Sequence, residues 1–229
     1  MKYLVFVLVL GGLTGAASAQ WSDNFDSYAT GSQLHGQGGW KGWQNDPGAG
    51  ALTSSAQAIS APNSAAIGGA SDLVHEYSGV TSGAWTYYAN VYLPTGRTGN
   101  TYFILMNKYS DAGPPNWDWS IEVNIAADGG VLDDFRSETP RTMNVGAWNE
   151  IRVDFDLSAN TQSTFINGDL LSSGTWTTGA NSGLSLQAVD LFANGTQNVF
   201  YDNMRLVPEP TTMAALSLGV LAFIRRRRK

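Results

Sequence analysis

Cysteine is absent from the 229-residue chain, which excludes disulfides, zinc–thiolate centres and thiol nucleophiles. Charge is scarce: Asp, Glu, Lys and Arg make up 14% of the residues, too few for a coiled coil or a disordered chain. Histidine occurs twice, as His35 and His75, and no Gly-x-Ser-x-Gly elbow accompanies either, so a hydrolase triad has no support. Two histidines without acids at close spacing also make a poor transition-metal site. Both are expected in turns or on the surface. No stretch outside the termini keeps an amphipathic helical period for ten residues. The formal charge of −6 excludes nucleic acid as a partner, because phosphate recognition needs a basic surface.

Glycine and aromatic residues are abundant, with 26 of the first and 26 Trp, Tyr and Phe. Glycine makes corners and aromatics fill pleated faces, so the composition points to a turn-rich β protein.

The two ends are addresses. Lys2 precedes an apolar run at residues 3–13, and Ala17-Ser18-Ala19 supplies a small-x-small cleavage site, the three parts of a secretory signal over residues 1–19. At the other end Val207-Pro208-Glu209-Pro210 leads into an apolar run at 213–224 and the basic tail Arg225-Arg226-Arg227-Arg228-Lys229. The prolines push the chain into an extended form that a processing enzyme can reach. Twelve apolar residues in a helix cover roughly 18 Å of a hydrocarbon core of about 30 Å, a marginal anchor. The arginines belong on the cytoplasmic side, which leaves the domain outside.

This tripartite end, residues 207–229, resembles the PEP-CTERM sorting signal of exopolysaccharide-producing Gram-negative bacteria. The resemblance implies recognition by an exosortase, transient anchoring in the inner membrane through a short transmembrane helix, and release to the cell surface or beyond.

Between the signals lie residues 20–206, with seven basic and eighteen acidic residues and a formal charge of −11. The excess of acids favours cations over polyanions. Several segments alternate with period two, the mark of a half-buried strand. The run Trp117 to Ile125 predicts Trp117, Trp119, Ile121, Val123 and Ile125 on one face, opposite Asp118, Ser120, Glu122 and Asn124. In 148–157, Ile151, Val153, Phe155 and Leu157 face inward and Glu150, Arg152, Asp154 and Asp156 face outward. Further strands are predicted at 85–93, 102–107, 163–166, 189–193 and 198–206. Asn167-Gly168 and Asn194-Gly195 read as two-residue hairpin turns, and Asp128-Gly129-Gly130 as another turn. Many short strands at regular spacing indicate an all-β antiparallel sandwich or jelly roll.

The segment Gly146 to Gly168 resembles the central hairpin of concanavalin A-like, laminin-G-type jelly rolls. There a Trp-led strand is followed by a turn and an aromatic strand ending in Asn-Gly. Asp23-Asn-Phe-Asp26-Ser-Tyr28 and Phe200 to Leu206 resemble the first and last strands, which the fold pairs in one sheet. The fold hosts lectins, glycosidases and structural modules, so it leaves function to the site.

Glycosidases of this fold carry acids at alternate positions of one strand, and a catalytic pair must stand roughly 5–10 Å apart. The nearest pattern here is Glu150-x-Arg152-x-Asp154-x-Asp156. It lacks the second Glu, and Arg152 would hold its neighbours ionised, the wrong direction for a general acid. The strand reads as the solvated outer face of the sandwich, and the protein as a non-enzyme. Calcium is the metal that hard oxygen donors suit. If the terminal strands pair, Asp23 or Asp26 could approach Asp202 and a calcium ion could staple the ends. Trp40 and Trp43 sit in a Gly-rich loop, and Tyr109 and Trp117 flank Asp111-Ala-Gly-Pro-Pro115. Trp40 and Trp119 are expected to be buried, whereas Trp43, Trp117 and Tyr109 are candidate platforms for an extracellular polysaccharide. A glycoside hydrolase or lyase, and a purely structural or adhesion module, are the alternatives.

Overall fold

The computed structural model describes residues 20–136 and 140–209. Its described residues form fifteen strands: β1 (Trp21–Asp23), β2 (Trp40–Gly42), β3 (Leu52–Ser54), β4 (Ser64–Ile67), β5 (Asp72–Glu76), β6 (Ala84–Tyr92), β7 (Asn100–Lys108), β8 (Asp118–Ile125), β9 (Gly130–Asp133), β10 (Arg141–Thr142), β11 (Trp148–Asp156), β12 (Thr161–Ile166), β13 (Asp169–Gly174), β14 (Ala188–Asn194) and β15 (Val199–Pro208). Two 3₁₀ turns at Trp43–Asn45 and Pro47–Ala49 are the helical elements among them. One sheet has the order β13-β12-β11-β6-β15-β4-β3, with β1 added against β15, and the other the order β10-β9-β8-β7-β14-β5-β2. Every named pair is antiparallel, as an all-β sandwich requires. The expected pairing of first and last strands is present, with Asp23 opposite Met204.

Alternation decides what enters the core. Along β11 the residues Ile151, Val153 and Phe155 are buried while Glu150, Arg152, Asp154 and Asp156 stay partly exposed. They meet Phe103, Leu105, Ile121, Val123, Val189 and Leu191 of the other sheet in one apolar cluster. Asn167-Gly168 joins β12 to β13 with φ of 52° and 88°, the double positive φ of a tight hairpin that Gly accepts without strain.

Asn194-Gly195 is not a hairpin. β14 and β15 lie in different sheets, and Gly195 alone has a positive φ, 70°, because the chain crosses the sandwich there. A second correction concerns β8. Ile121 pairs with Leu105 but Trp119 pairs with Met106, so the register slips at Ser120, and again at Asn107 on β7. The two bulged residues are buried and bond to each other, Asn107 Nδ2 to Ser120 Oγ at 3.0 Å. A bulge reverses the alternation beyond it. Ile121, Val123 and Ile125 therefore face the core, while Trp119 turns out to the opposite face and is only partly buried.

His75 also departs from expectation. It lies on β5, buried among Trp21, Trp40 and Tyr77 at ring distances of 4.6, 5.2 and 4.9 Å. His35 stays in a turn, where its Nδ1 accepts from Gly42 N–H at 3.1 Å.

The sheet extends past Leu206. Val207 and Pro208 continue β15 against Thr86 and Trp85, and Glu209 N–H donates to Ala84 at 2.9 Å. The start of the Pro-Glu-Pro element is thus extended, but laid into the sheet rather than free. Ala17, Ala19, Pro210, the apolar run 213–224 and Arg225 to Arg228 lie outside the described residues, so the signal peptide and the C-terminal membrane helix do too. Among the described residues no helix is long and apolar enough to cross a membrane.

Candidate functional site

The face of the seven-stranded sheet turned away from the core is built in rows, because antiparallel register sets residues side by side. Asp72, Phe192, Tyr102 and Asn124 form one row across β5, β14, β7 and β8. Val74, Asp190, Ile104 and Glu122 form the next. Ala188, Met106 and Trp119 make a third. Val74, Ile104, Met106, Tyr109 and Ala188 constitute an apolar cluster separate from the main core, edged by the partly buried Trp43, Tyr102, Trp117, Trp119 and Phe192.

The three aromatics proposed from sequence come together at one end of this face. Trp43 lies 4.8 Å from Trp117 and 5.1 Å from Tyr109, measured between ring centroids. Two of the polar tips are tied down. Trp117 Nε1 donates to Ser110 at 2.8 Å, and Tyr109 donates to Asp111 Oδ1 at 3.0 Å while accepting from Gln44 N–H at 3.0 Å. Lys41 stands 5.2 Å over the Tyr109 ring and pairs with Glu76 and Asp111. Tethered tips fix the Trp117 and Tyr109 rings. Tyr109, expected from sequence to be a platform, is however buried as a member of the apolar cluster, so the partly exposed faces are those of Trp43 and Trp117.

Beside the platform is a pocket of about 440 Å³. Trp43, Trp119, Phe135, Phe192 and Ile104 line it, and Asp72, Glu122 and Asp190 supply its polar groups. Asp72 and Asp190 lie diagonally on the adjacent strands β5 and β14, where their carboxyl groups act on each other. Burial holds Asp190 well above the usual carboxylate range, and the charge of Asp72 adds to it. Burial likewise raises Asp72 and Glu122, the latter with help from Asp134 and Asp133. Asp72, Asp190, Glu122, Phe135 and Phe192 were not singled out by sequence. A lone acid in the middle of an apolar strand, Asp190 between Val189 and Leu191, was the signal available.

The other proposed groups lie elsewhere. Glu150, Asp154 and Asp156 are on β11 in the opposite sheet. Arg152 stacks 4.0 Å over Phe165 and pairs with Asp154 at 3.3 Å, and Asp156 accepts from Ser158 and Ala159 N–H. That is an outer strand face held by local bonds. A cleft of about 600 Å³ beside β1 is lined by Trp21, Asp23, Tyr28 and Arg205 among others. Its Asp23 is committed to Phe25 N–H, Tyr28 and Trp40 at 2.6–2.8 Å.

The calcium donors do not gather. Asp202 accepts from Ile59 and Ser60 N–H, the Ser60 hydroxyl and Asn203 N–H, which uses the roughly four lone-pair sites of a carboxylate. Asp26 accepts from Asn63 N–H at 2.9 Å and from Asn24 at 2.7 Å. Among the described residues no group of three or more His, Asp or Glu is placed to hold a metal ion. The ends are stapled by N–H donors of residues 59–63, where the sequence suggested a cation. The melting temperature is expected to be the same with and without EDTA; a drop that calcium restores would show a cation in the staple.

The profile of the PEP-CTERM protein-sorting motif matches residues 206–229. No curated protein matches the chain in sequence. Among solved structures, the endo-β-1,4-glucuronan lyase of the fungus Trichoderma reesei is similar at 11% identity and TM-score 0.52, covering 84% of this chain and 96% of the lyase. The cellulose induced protein Cip1 is similar at 15% identity and TM-score 0.51, with 82% and 96% covered. The globular domain of T. cruzi calreticulin is similar at 8% identity and TM-score 0.56, with 87% and 92% covered. At these identities the likeness is one of fold, a two-sheet β-sandwich.

Proposed function

We propose that this is an exported protein of the cell envelope or extracellular matrix that binds polysaccharide on the outer face of its seven-stranded sheet, without altering it chemically. The sorting motif indicates an exported protein processed by an exosortase. The observation that carries the binding reading is the pair of partly exposed rings Trp43 and Trp117, backed by the buried Tyr109, continued across the sheet by Trp119 and by Tyr102 and Phe192 with ring centroids 5.6 Å apart. Contiguous partly exposed aromatics on a rigid sheet mark an interaction surface. The C–H face of a sugar ring is its natural cover, and the acids beside it suit ring hydroxyls.

Affinity electrophoresis through gels containing laminarin, barley β-glucan, xylan or chitosan tests this. Retardation is expected in at least one gel, and Trp43→Ala should weaken it at least tenfold, roughly 1.4 kcal/mol. Trp43 is partly exposed on a surface turn but packs on Trp117 and Tyr109, so a melt of the variant accompanies the gels to show that it is folded. Unretarded migration in every gel would leave the structural or adhesion module. Retardation that survives the substitution would move the site elsewhere.

One observation favours a second reading, cleavage of a glycosidic bond. Asp190 and Glu122 flank Ile104 in one row, so their strands stand two spacings apart, roughly 9–10 Å at the backbone, near the separation of an inverting pair. Release of reducing ends from the retained polysaccharide would establish it, and its absence would leave binding alone.

A further inference from the structure

Asp190 is 3% exposed, yet its Oδ1 has no hydrogen-bond donor, and neither does Oδ1 of Asp72. Both residues line the pocket, with Glu122 across Ile104. Unpaired buried acceptors of this kind are rare, because each forfeits its hydration without replacement. No Lys or Arg lines the pocket. The nearby cations are committed elsewhere: Lys41 to Glu76 and Asp111, and Arg136 to Asp133, Ser120 and Thr175. The walls are four aromatic rings. A cavity lined by three acids and four aromatic rings complements a cationic amine, which offers N–H donors to the oxygens and a charge to the ring faces.

We propose that the pocket takes the protonated amino group of a cationic amino-sugar polymer, such as a de-N-acetylated glucosamine chain, with Asp190, Asp72 and Glu122 as its acceptors and Trp43 and Trp119 stacking on the sugar. The inference rests on the reading that this face binds polysaccharide, and it names the class. A neutral hydroxyl could donate to Asp190 but could not balance the charge of the group beside it. A uronate would meet three acids. The exported domain at −11 adds long-range attraction of the same sign.

The groups facing Asp190 are Asp72 on β5 and Glu122 on β8, with Asp133 and Asp134 beyond Glu122. All are acids. An arriving ammonium stabilises their ionised forms, so binding should release protons, a quantity read by calorimetry in buffers of different ionisation enthalpy.

The test is isothermal titration of the purified full chain, in mildly acidic buffer, with chitosan hexamer, with fully N-acetylated chitin hexamer and with laminarin. The chitosan hexamer is expected to bind at least tenfold more tightly than its N-acetylated counterpart, with proton release. Asp190→Asn, which mimics the neutral acid, should remove most of that preference. Glu122→Gln, at a partly exposed position, should reduce it without risk to folding. Equal or tighter binding of chitin hexamer overturns the inference, as does a preference that both variants keep. Binding of laminarin alone overturns it as well, while leaving the polysaccharide reading intact. If none of the three binds, the inference is overturned, and the polysaccharide reading falls with it only if xylan and barley β-glucan gels also leave the protein unretarded.

Discussion

Replacing Asp202 with alanine is expected to lower the unfolding free energy by about 3–5 kcal/mol, the largest single effect foreseen here. Asp202 is fully buried on β15, and its two oxygens receive three backbone N–H groups and one hydroxyl. Truncation leaves Ile59, Ser60 and Asn203 N–H without the carboxylate that holds them, and opens a cavity at a fully buried position on β15. For a domain of this size the loss corresponds to a fall of roughly 10 °C in melting temperature. Asp202→Asn should fall between, since an amide keeps one acceptor but aims a donor at donors. Chemical denaturation of the three proteins measures the series. A loss below about 1 kcal/mol for alanine would show that the 59–63 segment is held by something other than this carboxylate.

The second large effect is acid instability carried by His75. Burial among Trp21, Trp40 and Tyr77 pushes its imidazole down to about 4, against weaker opposition from a hydrogen bond to the Gly38 backbone and the charge of Asp23. A depressed histidine binds its proton more weakly in the folded state than in the unfolded one. Its contribution is therefore constant above the unfolded value near 6.5, and is lost as pH falls from there towards 4. The loss amounts to about 3 kcal/mol at the lower end. The raised acids of the pocket act in the opposite sense, gaining stability as pH falls, so the histidine must be isolated by difference. Unfolding free energies of the parent and His75→Gln should diverge by about 3 kcal/mol between pH 7 and pH 4, the parent losing more. Parallel pH profiles would place the His75 proton outside the folding equilibrium.

Much of the scaffold was legible because strands advertise themselves with period two. Residues 148–157 follow the pattern without interruption, and every expected inward residue there is buried. Asn167-Gly168 behaves as its two permissive residues dictate. Asn194-Gly195 carries the same chemistry but serves a crossing between sheets, since a turn dipeptide fixes local φ and not the destination of the strands it joins. Trp40 was rightly expected inside: its ring is buried and its Nε1 bonds to Asp23. Trp119 was also expected to be buried and is only partly so, on the opposite face, because a bulge at Ser120 leaves no mark in a pattern of apolar and polar letters.

The candidate site divides along the same line. Trp43 and Trp117 were visible as aromatics in loops that nothing obliged to fold inward, whereas Tyr109, read the same way, is buried beneath them. Asp72, Glu122 and Asp190 were not, since each is an ordinary acid in its own segment. They converge only because β5, β14, β7 and β8 lie side by side in that order.

The sequence alone determined the address and the class of fold. An export signal and a sorting motif are linear codes read by machinery that meets an extended chain, and sheet-forming alternation is local. What only the tertiary structure decided is which face is the site. Strand order, register and one bulge bring distant acids under distant aromatics, and those are properties of pairing between segments, which no segment carries by itself.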